Sequence, residues 1–225
     1  MKPLLVVKDL IFAYPGKPPI FNGLNFEIYA KEKVCIIGKN GAGKTTFFYA
    51  IMGLLGQLQG EIIFEGKSIR TKEDLRYLRQ KVGFLFQDPE DQLFCPTLLD
   101  DVLFGPLNMG LSREEATDRA WSVLKELKIE DLAHNPPYTL SGGQKRLGAL
   151  AAILAMDPQL LLLDEPSSGL DEEAANNLSG ILTHLDKTII MASHDTDFAE
   201  EVTGPWYELS SGNLRLLHGK TRVGI

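Results

Sequence analysis

An α/β fold with a parallel sheet layer is predicted from three observations. Short continuous apolar runs ("KVCIIG", residues 33–38; "QLLLLDEP", 159–166; "KTIIMAS", 187–193) have the look of strands buried on both faces. Stretches with apolar residues three or four apart stand between them, as helices do. A glycine-rich turn, "GKNGAGKTT", separates the first of these strands from the first helix. Strands interleaved with helices in this way build a sheet covered by helices.

The elements follow in order. "LLVVKDLIF" (4–12) and "GLNFEIY" (23–29) alternate apolar and polar residues, with Leu24, Phe26 and Ile28 on one face, and are expected to form half-buried antiparallel strands. After "KVCIIG" a helix is expected from Lys44 to about Leu55, then the strands "EIIFEG" (61–66) and "KVGFLFQ" (81–87). Ser112 with Glu115 forms the capping box of a helix reaching Lys128. A second helix begins near Ser141, on the spacing of Leu147, Leu150, Ala151 and Leu154. The block from about 88 to 155 interrupts the strand–helix alternation and is read as a helical subdomain inserted into a single domain spanning 1–225. After "QLLLLDEP" comes a helix with Ala174, Leu178, Ile181, Leu182 and Leu185 on its apolar face, and "WYELSSGNLRLL" (206–217) closes the pattern as a hairpin.

Bulk properties restrict the function classes. A net charge of -7 gives no general attraction to nucleic acid or an anionic membrane. "MKPLLVVKDL" is too short an apolar run for a signal peptide, and the longest such stretch, "LGALAAILAM" (147–156), is too short to cross a bilayer. Cys35 and Cys95 lack a paired zinc spacing and are expected to be reduced thiols in a cytosolic protein; His134, His184, His194 and His218 form no cluster.

"GKNGAGKTT" fits the pattern G-x-x-x-x-G-K-[ST] in its required strand-to-helix setting. Its glycines let the backbone wrap a β-phosphate, Lys44 reaches the β- and γ-oxygens, and Thr45 offers its hydroxyl to Mg²⁺. Asp164, at the end of a buried strand, is placed to hold the Mg²⁺ shell. Glu165 can polarise a water against the γ-phosphate, and His194, after a third buried strand, can contact that phosphate. "TLSGGQ" places a hydroxyl and two glycines at a helix start, which weakens the helix but suits an anion. No second half of such a site is visible nearby, so it has to come from elsewhere, another chain being one source.

Taken in order, these segments resemble the ATPase subunit of an ATP-binding-cassette (ABC) transporter, with a P-loop core, an antiparallel β subdomain and an inserted helical subdomain. The likeness runs from about residue 4 to residue 218. It assigns Gly38, Lys39, Asn40, Gly41, Ala42, Gly43, Lys44, Thr45 and Thr46 to the Walker A segment, Gln87 to the Q-loop and "LSGGQ" to the signature. "LLLLDEP" matches Walker B, "SSGLD" with Asp171 the D-loop, His194 the switch histidine, and Tyr14 in "FAYPG" the aromatic that stacks on adenine. The resemblance implies ATP and Mg²⁺ as cofactors, Mg²⁺ contacts from Thr45, Gln87 and Asp164, and catalytic roles for Glu165, His194 and Gln87. It implies two cassettes packed head to tail, whether copies of this chain or a homologous ATPase. Ser141, Gly142, Gly143 and Gln144 of one would then meet the γ-phosphate held by the other.

"QDPEDQLFCPTLLDDVLFGPLNMGLS" (87–112) resembles the same region of energy-coupling-factor transporter ATPases, above all cobalt and nickel importers. There the segment is part of a groove for integral membrane subunits, which here would be lined by Phe94, Leu98, Leu99, Val102, Leu103 and Phe104 and would place the protein at the cytoplasmic face of the membrane. Many of that group continue with a helical region that helps dimerise. This sequence stops at Ile225, so a dimer formed without ATP or a membrane partner is not implied. The competing expectations are an importer of another solute, such as a vitamin or amino acid, and a soluble switch ATPase acting on DNA or the ribosome. A nucleotide-binding regulator without turnover is disfavoured by Glu165.

Overall fold

Runs such as Leu160–Leu163 and Ile189–Met191 offer no polar side chain to water, and in the computed structural model each is buried at the centre of a sheet. The structure describes residues 2–218; Met1 and residues 219–225, including the stop at Ile225, lie outside it, as does the side chain of His218. The six-stranded sheet has the order β10-β9-β3-β8-β7-β6. These strands are β3 (Lys33–Ile37), β6 (Val82–Leu85), β7 (Leu160–Asp164), β8 (Thr188–Ala192), β9 (Trp206–Ser210) and β10 (Asn213–His218). Every pairing from β9 to β6 is parallel; only the terminal hairpin β9–β10 is antiparallel. Leu160, Leu162 and Ile190 face one hydrophobic layer, and Leu161, Leu163, Ile189 and Met191 face the other. Both faces of the sheet are therefore covered, which is why these strands show no polar alternation.

The first layer lies between this sheet and a four-stranded one of order β2-β1-β4-β5. Strands β1 (Leu5–Phe12), β2 (Phe21–Ile28) and β4 (Gln59–Phe64) are paired antiparallel, with the short β5 (Lys67–Ser68) at the edge. Helix α1 (Lys44–Ile51) packs into this layer through Phe47 and Phe48, both fully buried, which meet Phe21, Phe26 and Phe84. Burying one such ring is worth about 1.5–3 kcal/mol, so this aromatic cluster anchors the helix that follows the glycine-rich turn.

The second layer holds α3 (Leu98–Asn108), α4 (Arg113–Glu126) and α5 (Gly142–Leu154), all between β6 and β7 in the chain, with α6 (Glu172–His184) and α7 (Thr196–Val202). The expected capping box of Ser112 with Glu115 forms, and a second, not foreseen, joins Ser141 to Gln144. No helix among the described residues is long and apolar enough to cross a membrane.

Several expectations need correction. The helix opened by Ser112 ends at Glu126 rather than Lys128, which takes a left-handed φ of 57°. The strand placed at 81–87 spans only Val82–Leu85. Helix α1 stops at Ile51 rather than near Leu55, because Gly53 takes a left-handed φ of 62°. Gly53 N–H then donates to Ala50 O and Leu54 N–H to Tyr49 O, the paired bonds of a Schellman stop. The strand placed at 61–66 spans Gln59–Phe64, and Glu65 and Gly66, both with positive φ, form the turn into β5. Lys81 belongs to a helix not foreseen, α2 (Lys72–Lys81), whose inner face is carried by Leu75 and Leu78 among charged residues. Its start was legible, since Thr71 caps it and Asp74 bonds back to the Thr71 N–H.

Candidate nucleotide site

The turn after β3 is wound by two glycines in left-handed backbone, Gly41 at φ 80° and Gly43 at φ 107°. At Gly43 an added Cβ would lie 2.5 Å from Ile20 Cγ2, so both conformation and space require glycine there. The turn curls around the Lys44 side chain, which is 8% exposed. Lys44 Nζ donates to Gly38 O at 3.0 Å and lies 3.5 Å from Glu165 Oε1. Tyr14, Lys39 to Thr46, Gln87, Asp164 and Glu165 line one cavity of about 420 Å³. Residues far apart in the chain, from Tyr14 to Glu165, are thereby brought to one place.

The acids at the end of β7 have different surroundings. Asp164 Oδ2 accepts a hydrogen bond from Thr45 Oγ1 at 2.6 Å, whereas Oδ1 is buried with no partner among the described residues. Burial raises the Asp164 carboxyl above its usual range; the Thr45 bond opposes this, and the Glu165 charge adds to it. An acceptor-only oxygen held in a buried site beside a hydroxyl is the donor set a hard divalent cation takes. The residues present therefore fit Mg²⁺.

Glu165 stands in left-handed backbone, φ 48°, a conformation disfavoured for a side chain of this size. Its own N–H is tied to Ala192 O at 2.8 Å, which holds this backbone against the end of β8. Glu165 Oε2 then accepts from the His194 N–H at 3.1 Å and lies 2.6 Å from His194 Nδ1. The His194 ring itself is largely exposed, reaching past the carboxylate.

Ser141, Gly143 and Gln144 are not in this cavity. They line another, of about 540 Å³, with Leu170, Asp171 and Asn177. Asp171 there caps α6, accepting from Ala174 N–H at 2.8 Å. Gly142, next to them, is exposed; its φ is not left-handed, and an added Cβ would find its nearest neighbour 3.9 Å away, at Gly169 O. Nothing in its own chain requires a glycine there.

The expected docking groove is corrected in part. Leu98, Val102 and Leu103 are core residues, at most 5% exposed, because α3 turns that side toward α5. The exposed apolar side chains are Phe94 (66%) and Phe104 (50%), whose rings meet edge to face at 5.1 Å, with Leu107 beside them in α3. Asp101 shapes this surface, its Oδ1 accepting from the N–H groups of both Phe94 and Cys95 at 3.0 Å.

The family model for ABC transporters matches residues 21–168. The chain belongs to the ABC transporter ATPases. It is an ATP hydrolase coupled to transport across a membrane. Energy-coupling factor transporter ATP-binding protein EcfA of Methanocaldococcus jannaschii is 41% identical over 215 residues, spanning 94% of this chain and 77% of that protein. Among solved structures, cbiO1 from Clostridium perfringens, described as part of the ABC transporter complex cbiONQ, superposes with a TM-score of 0.86 at 35% identity, over 96% of this chain and 88% of its own. A dimeric ATP-binding cassette in a post-hydrolysis state, bound to ADP and Pi, gives 0.85 at 26% identity, over 96% and 99% of the two chains. This ABC ATPase is thus an ATP-binding subunit of the energy-coupling-factor kind, with the mixed architecture of the solved cassettes.

One residue beside the site had no place in the sequence reading. Arg146 is 4% exposed and reaches the Q-loop and the turn after Glu165. Its signal was there: a charge three and four positions before Ala149 and Leu150, on the buried face of α5.

Proposed function

We propose that this ATPase binds Mg²⁺-ATP at the cavity around Lys44, hydrolyses it between two cassettes, and drives import of a cobalt or nickel cation through membrane subunits at the cytoplasmic face. The observation that supports the hydrolytic half is the pairing of Thr45 with Asp164 at 2.6 Å, beside Glu165 held between Lys44 and His194. The turn from Gly38 to Thr46 would wrap the phosphates, Lys44 would neutralise the β- and γ-oxygens, and Tyr14, exposed at the mouth, would stack on adenine. Thr45, Asp164 and Gln87 would hold Mg²⁺, which supplies charge neutralisation along the phosphates when bound. Glu165 would take the proton of the attacking water, with His194 contacting the γ-phosphate. Ser141 to Gln144 and Asp171 would serve the nucleotide of a second cassette.

The substrate reading rests on the likeness to cbiO1, a part of cbiONQ, and on the segment after Gln87. Phe94 and Phe104 form the exposed apolar surface suited to a helix of a membrane subunit. Purification of the chain from membranes, with identification of the integral subunits retained, tests both points. A metal-transport subunit should be retained with the native chain, and Phe94→Ser should lose most of it together with metal uptake while keeping ATP affinity. Recovery of a vitamin-specific subunit would replace the metal reading, and full retention by the folded Phe94→Ser variant would move docking elsewhere.

A further inference from the structure

A buried guanidinium is costly unless its donors find acceptors. The two terminal nitrogens of Arg146 find them on two loops at once, while its Nε is buried with no partner among the described residues. Nη1 donates to Phe86 O at 3.0 Å and Gln87 O at 2.8 Å, and Nη2 donates to Ser168 O at 3.0 Å. The loops bear on the hydrolytic side chains directly. Gln87 shares its cavity with Thr45 and Asp164, and Ser168 N–H donates to Glu165 O at 3.1 Å, closing the turn that follows Glu165. Arg146 thus clamps the far end of that turn to the Q-loop backbone.

The rest of α5 adds to the same junction. Lys145 pairs with Glu90, and Gln92 joins Phe86 N–H (3.2 Å) to Ala149 O (3.3 Å). Lys145 and Glu90 are partly exposed, so their pair is replaceable. Arg146 is not. A guanidinium reaches the two loops from two separate nitrogens held in a rigid fork, whereas an ammonium must present all its donors from one atom.

We infer that Arg146 is a positioning residue for ATP hydrolysis, holding Gln87 and the turn after Glu165 at the separation the reaction needs. This rests on the reading that Gln87 and Glu165 act in hydrolysis. Arg146 lines a cavity of about 560 Å³ together with Thr45, Gln87 and Asp164, so a small cation can reach its place from solvent.

The test is steady-state ATPase activity of the full chain, with ATP affinity by calorimetry and folding by thermal melt, for Arg146→Ala and Arg146→Lys. In Arg146→Ala, kcat should fall on the order of 100-fold, as for a small misplacement of reacting groups, with ATP affinity within about twofold of native. Millimolar guanidinium should restore part of that loss, and Arg146→Lys should stay well below native. Native kcat in Arg146→Ala, loss of affinity in step with kcat, or a loss that guanidinium leaves unchanged would each overturn the inference. Should Arg146→Ala not fold, Arg146→Lys decides: lowered kcat at native affinity supports it, native kcat refutes it. Glu165→Gln, measured alongside, separates the two levels, since normal turnover there defeats the reading of the site itself.

Discussion

The two phosphate-facing regions of this chain differ in how far each is finished by its own residues. Around Lys44, the buried side chains hold one another: Lys44 with Gly38 and Glu165, Thr45 with Asp164, Glu165 with His194. At the start of α5, Ser141 and Gln144 satisfy each other in a capping box, and between them Gly142 is exposed, with room for a Cβ that its own chain does not fill. The first region is built by the fold. The second keeps a glycine the fold does not need, as a surface does when something else must approach it closely. A site divided between two cassettes accounts for both.

The strongest way to break this contrast is Lys44→Ala. Lys44 is the buried cation that the turn curls around, whereas Lys39, which also lines the cavity, is exposed, so ATP binding should fall below detection by calorimetry. Native affinity would remove Lys44 from the site. Glu165→Gln keeps the shape of the side chain but cannot accept a full proton. Its kcat should drop by about 10²–10⁴-fold with ATP still bound. Near-native turnover would show that the base lies elsewhere.

Asp164 sharpens the contrast at a smaller scale. Its carboxyl is raised chiefly by burial, so the folded chain binds its proton more tightly than the unfolded one does. The stability linked to that proton is present below the unfolded pKa and is lost as pH rises through the folded value. Asp164→Asn, neutral at every pH, should therefore raise the melting temperature of the metal-free protein at neutral pH, by about 2–4 °C per kcal/mol recovered, while abolishing Mg²⁺-dependent hydrolysis. A lower melting temperature would mean that the ionised carboxylate supports the fold.

Most strands, the glycine-rich turn and the Ser112–Glu115 capping box were legible in the sequence because each depends on neighbours within a few positions. Helix α2 was missed because its apolar face is a single pair, Leu75 and Leu78, set among charged residues, although Thr71 and Asp74 marked its start. The groove was over-assigned because an apolar run such as Leu98–Leu103 does not say which side of its helix is covered; only packing against α5 separates Leu98 from Phe104. Arg146 needed three dimensions, since its acceptors lie at Phe86, Gln87 and Ser168.

The divided site is tested most directly by the mass in solution of Glu165→Gln with ATP, with and without Gly142→Val. One chain is 24.9 kDa. Glu165→Gln with ATP should run as a dimer by light scattering. The added Gly142→Val should leave the fold and ATP affinity intact, because Gly142 is exposed and an added Cβ comes no closer than 3.9 Å to the rest of its own chain, and should return the protein to a monomer. An ATP-bound dimer undisturbed by Gly142→Val would contradict the account, for the start of α5 would then not face the nucleotide of its partner.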